Sequence, residues 1–261
     1  MSEPLFVEER RRAILDQLKQ QGRVSVKALS EKMSVSAVTI RQDLRVLEES
    51  GLLERTYGGA VRRAPEPVTP ELSFDVRQTR YTNEKAVIGA AAAAMVKSGH
   101  SIALDASTTA LSLVPHLKGL DRITIVTNSL IIAKSFLDSP RIQVLLPGGR
   151  VRRDSVSVVG RPEGLPDINL NLGFFGTRGI TLMGGITDTD PDEVMMKKAM
   201  IARCVSPVII ADGSKWGHVA PYTFVNPQEV ERIITTDLAP PEFIAQFRGE
   251  GVQVEVLVSG E

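Results

Sequence analysis

"IALDASTTALSL" (residues 102–113) decides how the larger part of the chain folds. It is apolar through Leu104, turns polar at Asp105, and presents Ser107, Thr108 and Thr109 before a new apolar pattern begins. A short apolar run that ends in small polar residues reads as a buried strand feeding a helix. Hydroxyls and free backbone N–H groups at such a helix start suit a small anion. Such a loop can serve a catalyst or a sensor.

Three further strands end in the same way. "RITIVTNS" ends at Thr127, Asn128 and Ser129; "IQVLLPGG" at Gly148 and Gly149; "PVIIAD" at Asp212, followed by Gly213, Ser214 and Lys215. Strands alternating with helical patterns predict a parallel sheet with crossover helices. In an open sheet of that kind, ligands sit in the crevice beyond the carboxyl ends of the strands. One loop alone is better explained as a capped strand-to-helix turn; four in one domain point to a shared ligand site. The pattern "PDEVMMKKAMIARC" predicts a helix with Pro191 near its start, on which Glu193 and Lys197 share a face at i, i+4. Those two can form a surface ion pair, or Lys197 can point into the crevice as a donor to phosphate or hydroxyl.

The chain has 261 residues, enough for two domains, with 43% hydrophobic and 24% charged residues, ordinary for a chain with a real core. Its single cysteine, Cys204, excludes an internal disulfide framework and fits a reducing cytoplasm. No secretory signal is expected, and the longest apolar run, "VIGAAAAAMV", is far short of the roughly 20 residues of a membrane helix. His100, His116 and His218 are scattered and Cys204 has no partner at ligand spacing, so no metal is expected. Neither a GxGxxG nor a GxxxxGK[ST] loop occurs, so no nucleotide cofactor is expected. Formal charge is zero but uneven: residues 1–63 carry 12 Lys+Arg against 9 Asp+Glu, and the rest carry 19 against 22. The excess of three positive charges in the first lobe is a mild pointer to a polyanion.

That lobe reads as three short helices and a wing. Helix one runs from about Glu9 to Gln20; Ser25 caps a second over Val26–Met33; a third starts at Ser36, with Ile40, Leu44 and Leu47 pointing inward and Gly51 at its C-terminal end. "LLERTYGGAVRR" predicts two short strands around a Gly58–Gly59 turn. At roughly 100° per residue, Val38, Arg41, Gln42 and Arg45 face outward on helix three. Gln42 and Arg45 can hydrogen-bond base edges, and Arg41 a base or a phosphate. Ser36 and Thr39 in the first turn can meet a phosphate. "RRAPEPVTPELSF" (62–74), with Pro65, Pro67 and Pro70, reads as a linker. The expected organisation is a DNA-binding domain over 1–63, a Pro-rich linker over 64–82 and an α/β sensor domain over 83–261.

The first lobe closely resembles the N-terminal winged helix-turn-helix of the DeoR family of bacterial transcriptional regulators. "VSAVTIRQDLRVLEESGLL" followed by "GGAV" carries that resemblance. The second half resembles the family's C-terminal sensor domain, through "LDASTTA", "VTNS", "LLPGG", "MMKKAMI" and "IIADGSKWG". That domain is similar in fold to ribose-5-phosphate isomerase: an open, mostly parallel α/β sheet. The resemblance implies a cytoplasmic regulator of carbohydrate genes, expected to be a repressor, that binds double-stranded operator DNA as a dimer or tetramer. It implies a phosphorylated sugar effector, and it adds Tyr57 to the DNA-facing set. It places Asp105, Ser107, Thr108, Thr109, Asn128, Gly149, Lys197, Asp212 and Lys215 at the effector pocket. Three positions depart from the family pattern. Tyr57 replaces a usual His; Ser107 replaces the glycine of Asp-x-Gly-Thr-Thr; Met195 stands where an acidic residue is common. If the position of Ser107 demands φ > 0, serine is strained there; otherwise it adds a hydroxyl. The rival readings are a sugar-phosphate isomerase with an accessory DNA-binding domain, using Asp105, Glu193 or Asp212 as base and Lys215 as charge stabiliser, and a purely architectural DNA protein.

Overall fold

The computed structural model describes residues 7–49, 53–61 and 72–260. They fall in two compact units, residues 1–68 and 69–261. In the first, α1 (Val7–Gln21), α2 (Val26–Met33) and α3 (Ala37–Glu49) bury Ile14, Leu18, Leu29, Ile40, Leu44 and Leu47 in one small core. Ser25 caps α2 by accepting from Ala28 N–H at 3.1 Å. Asp43, on the inner side of α3, holds Arg10 at 2.6 Å and Arg11 at 3.1 Å and so fastens α1 to α3. Strands β1 (Arg23–Ser25), β2 (Glu54–Thr56) and β3 (Gly59–Val61) form an antiparallel sheet in the order β1-β3-β2.

The wing differs from its predicted turn. Thr56 pairs with Gly59, so the two-residue loop is Tyr57–Gly58 and Gly59 lies in a strand. The cause is the extra strand β1: β3 is central, and a Cβ on Gly59 would lie 1.9 Å from the carbonyl oxygen of Val24. Gly51 and the prolines at 65, 67 and 70 lie outside the described residues. Inside the range expected as linker, α4 (Phe74–Gln78) is a helix whose Phe74 side chain is buried.

The second unit is a doubly wound sheet. In chain order its elements are α5 (Thr82–Ala94), β4 (Ser101–Leu104), α6 (Thr108–Leu111), α7 (Val114–Leu117), β5 (Ile123–Thr127), α8 (Leu130–Ser135), β6 (Ile142–Leu145), β7 (Arg150–Arg152), β8 (Ser157–Val159) and β9 (Leu170–Phe175). Then follow β10 (Gly179–Thr181), β11 (Gly185–Asp188), α9 (Pro191–Ile201), β12 (Cys204–Ile210), β13 (Tyr222–Val225), β14 (Arg232–Thr236), α10 (Pro241–Gly249) and β15 (Gln253–Leu257). Seven strands run parallel in the order β15-β14-β12-β9-β4-β5-β6. Alternate side chains feed two cores. Ile102, Leu104, Phe174, Val208 and Ile210 pack with Ile88, Leu113 and Leu117 on one face. Ala103, Phe175 and Ile209 pack with Met196, Met200 and Phe247 on the other. Burial of both faces explains why these strands read as continuous apolar runs.

From β4 the chain builds outward through β5 and β6, then returns to place β9 on β4's other side and continues through β12, β14 and β15. The strand order therefore reverses between β4 and β9, and their carboxyl ends flank the crevice expected at such a reversal. A second sheet, β10-β11-β13, and the β7–β8 ribbon add walls outside the main sheet.

Candidate functional site

The residues expected at the DNA-facing and effector sites fall in separate units, one set in each. On α3, Arg41, Gln42 and Arg45 are exposed and Val38 is 71% exposed, as helical spacing from Ile40 requires. The Ser36 hydroxyl lies 3.1 Å from Thr39 N–H and 2.9 Å from its Oγ1, so it caps α3. Tyr57 stands fully exposed at the tip of the β2–β3 turn. Glu48 of α3 accepts from Arg55 N–H at 3.0 Å and ties the wing to the helix.

In the second unit, Asp105 at the end of β4 is fully buried. Its Oδ1 accepts from Ser107 N–H at 3.1 Å and its Oδ2 from Gly176 N–H at 2.9 Å, joining the ends of β4 and β9. Ser107 has φ −83°, so it carries no strain, and its hydroxyl caps α6 by accepting from Ala110 N–H at 3.0 Å. The neighbouring Gly176 is a close-approach glycine: a Cβ there would meet Ser107 Cβ at 2.4 Å. Thr108 and Thr109 follow, both buried.

Lys197 reaches this strand end from α9. Its ammonium lies 2.9 Å from Asp105 Oδ2 and 2.6 Å from Asp188 Oδ2, and it donates to Gly176 O. Burial alone would lower its pKa, but Asp105 and Asp188 outweigh burial and hold it above the ordinary lysine range. Burial likewise pushes Asp188 up, and the charges of Lys197 and Arg178 reverse this to leave it below the usual carboxylate value. Glu193 does not pair with Lys197. It is buried one turn away, where Ser155 and Ser157 donate to it and Arg152 lies 3.6 Å off; burial raises its pKa.

Arg178 stands 3.7 Å from Asp188 and close enough to Lys215 to depress its pKa, a shift due first to burial. Lys215 lies 3.6 Å from Asp212, and both sit within electrostatic reach of the buried Lys85. Thus Asp105, Lys197, Asp188 and Arg178 form one set of alternating charges at the strand ends, and Lys215, Asp212 and Lys85 form a second beside it. Of the three buried acceptor atoms with no hydrogen-bond partner among the described residues, two, Asp212 Oδ2 and Asn128 Oδ1, lie at these strand ends. Asn128 enters because Leu104 pairs with Thr127, which sets the end of β5 beside that of β4.

Gly149 is explained by its own loop. A Cβ there would lie 2.3 Å from Val159 O. Asp188, Arg178, Gly176 and Lys85 escaped the sequence reading. Asp188 lies on a strand outside the parallel sheet, and Lys85 on a helix whose pattern is otherwise alanine-rich. Among the described residues no group of three or more His, Cys, Asp and Glu is placed to hold a metal, and no helix is long and apolar enough to cross a membrane.

Comparison with known proteins agrees with this division. Residues 10–66 match the DeoR-like helix-turn-helix domain, and residues 80–237 match the DeoR C terminal sensor domain. The chain is 32% identical to the HTH-type transcriptional regulator GolR of Listeria innocua, over 97% of this chain and 99% of that one. It is 32% identical to the HTH-type transcriptional repressor GlcR of Bacillus subtilis, covering 98% and 99%. It is 30% identical to the glycerol-3-phosphate regulon repressor of Escherichia coli, covering 91% and 94%. Among solved structures, the ribose 5-phosphate isomerase of Methanocaldococcus jannaschii aligns at a TM-score of 0.38 and 15% identity, over 51% of this chain and 53% of that one. With a helix-turn-helix and wing before a doubly wound domain, and relatives matched along nearly its whole length, the chain belongs to the DeoR family of transcriptional regulators.

Proposed function

We propose that the chain represses genes of carbohydrate metabolism from the cytoplasm, and that a phosphorylated sugar at the second unit's crevice sets its affinity for operator DNA. The observation that carries this reading is the convergence of Lys197, Arg178, Lys215 and Lys85 on the strand ends, beside two acceptor atoms without a hydrogen bond. A phosphate complements such cations, and ligand hydroxyls can donate to Asp212 Oδ2 and Asn128 Oδ1, which would otherwise carry a desolvation cost. In this reading Asp105 and Lys197 organise the pocket; Ser107, Thr108, Thr109 and Lys215 meet the phosphate. Gly149 serves only as a close-packing position. Ser36, Thr39, Arg41, Gln42, Arg45 and Tyr57 face DNA, Gln42 and Arg45 reading base edges and the others the backbone. A dimer or tetramer presents paired heads to a symmetric or repeated site.

The enzymatic alternative is disfavoured by how two of its three candidate bases are engaged, the third, Asp212, lying 3.6 Å from Lys215. Asp105 is held by two N–H groups and an ammonium, and Glu193 by two hydroxyls, so neither is placed to take a proton from a substrate carbon. The sensor reading is tested by thermal melting of the whole protein against sugars with and without a phosphate. A ligand that binds only the folded state raises the melting temperature. Stabilisation by phosphorylated sugars but not by their neutral parents is expected; equal response to both, or to neither, refutes the assignment.

A further inference from the structure

The outward face of α3 carries one residue that the core of its unit does not explain. Val38 is 71% exposed, at the second position of the helix. Ile40, two residues on, is fully buried, so the helical period itself turns Val38 away from the core. Among the described residues of the first unit, the other large exposed hydrophobics are Val7, at the start of α1, and Tyr57, at the tip of the wing.

Local helix energetics do not call for valine there. Its branched side chain lowers helix propensity, and in water it gains nothing from burial. The first turn of a helix favours a carboxylate, yet the first turn of α3 contains none. Capping is already supplied by Ser36, whose hydroxyl accepts from Thr39 N–H at 3.1 Å.

The neighbours of Val38 indicate what it faces. Arg41 and Gln42 lie three and four residues on, and Arg45 seven, so the four side chains form one exposed stripe. The nearby acids are engaged elsewhere: Asp43 is buried against Arg10 and Arg11, and Glu48 accepts from Arg55 N–H in the wing. Donors beside a single apolar group match the floor of a DNA major groove. Purine edges take the hydrogen bonds of Arg and Gln, and the 5-methyl group of thymine takes an apolar side chain. In a helix-turn-helix, the N-terminal residues of the second helix of the motif are the ones that reach base edges.

We propose that Val38 is a specificity-determining residue that packs on the 5-methyl group of a thymine in the operator. This assignment, which rests on the reading of α3 as the base-facing helix, adds an apolar contact to the hydrogen bonds of Gln42 and Arg45. It makes the protein sensitive to one methyl group of the DNA, an effect of about fourfold in affinity, or ~0.8 kcal/mol.

The test starts from the duplex that the full-length protein selects most tightly from a random pool. Each thymine in it is replaced in turn by deoxyuridine, which lacks only the methyl group, and affinity is read by fluorescence anisotropy. The wild type should lose about fourfold at one thymine or more. At that thymine, Val38→Ser should bind the two duplexes equally, and Val38→Ile, which keeps an apolar side chain, should retain the wild-type loss. Both variants are expected to fold, because the position is exposed. A wild type indifferent to every replacement, or a Val38→Ser protein that keeps the loss, would overturn the assignment. If Arg45→Ala and Gln42→Ala then still narrow the gap between operator and random DNA, only Val38 is removed from base reading. If they leave that gap intact, the base-facing reading of α3 falls with it.

Discussion

Lys197 Nζ lies 2.9 Å from Asp105 Oδ2, and Asp105 ends β4, beside which the strand order of the sheet reverses. Asp105 comes from a strand end and Lys197 from the middle of α9, and both are almost fully buried. Removing the ammonium strands two carboxylates, Asp105 and Asp188, in the interior. Lys197→Met should therefore destabilise the second unit by about 3–5 kcal/mol. Urea unfolding followed by tryptophan fluorescence checks it, since Trp216 packs in the core of that unit. A loss below about 1 kcal/mol would mean that the buried pair is not as described.

Ser107 and Gly176 should behave as a matched pair. Gly176→Ala drives a Cβ into Ser107 and should cost about 1–3 kcal/mol. Ser107→Gly restores the family's usual residue and should cost only a few tenths of a kcal/mol, because a glycine N-cap is nearly as good. Combined, the two should be less damaging than the sum of the single changes, a non-additivity that a double-mutant cycle of unfolding free energies reads directly. Strict additivity would show that the two residues do not meet.

On α3, Arg45→Ala and Gln42→Ala should each narrow the gap between operator and random DNA by about 1–3 kcal/mol, the discrimination that a side chain bonded to a base edge supplies. Arg41→Ala should weaken both DNAs similarly and flatten the salt dependence. Fluorescence anisotropy at two salt concentrations separates the two behaviours. An Arg45→Ala protein that still discriminates fully would remove that residue from base reading.

Lys85 gives stability a pH dependence of defined sign. Its folded pKa is about 8, below the unfolded value of about 10.4. Between those values the unfolded chain binds the extra proton, so the contribution of Lys85 to stability rises with pH across that window and is flat on either side. The wild-type curve minus that of Lys85→Gln isolates this group from Lys215. A difference that falls between pH 8 and 10 contradicts the assignment.

Much of this was legible in the chain itself. The heptad-like spacing of Ile40, Leu44 and Leu47 set the outward face of α3, because a helix surface depends on local periodicity alone. The polar ends of β4, β5 and β12 marked where those strands stop, because buried parallel strands leave polar residues only at their termini. What stayed hidden depends on long-range pairing. Asp188 reaches Lys197 only because β11 pairs with β10 and β13 outside the main sheet. Lys85 reaches the crevice only because α4 folds back to offer its carbonyls. The turn of the wing shifted by one residue because β1, a three-residue strand with no pattern of its own, pairs with β3.

The central claim is that a phosphorylated sugar in this crevice controls the grip on DNA. The direct measurement is operator affinity by anisotropy, with and without a broad panel of sugar phosphates and their unphosphorylated parents. At least one phosphorylated sugar should change the affinity tenfold or more, equivalent to about 1.4 kcal/mol of coupling, and its neutral parent should not. Normal operator binding that no member of the panel alters would contradict the account.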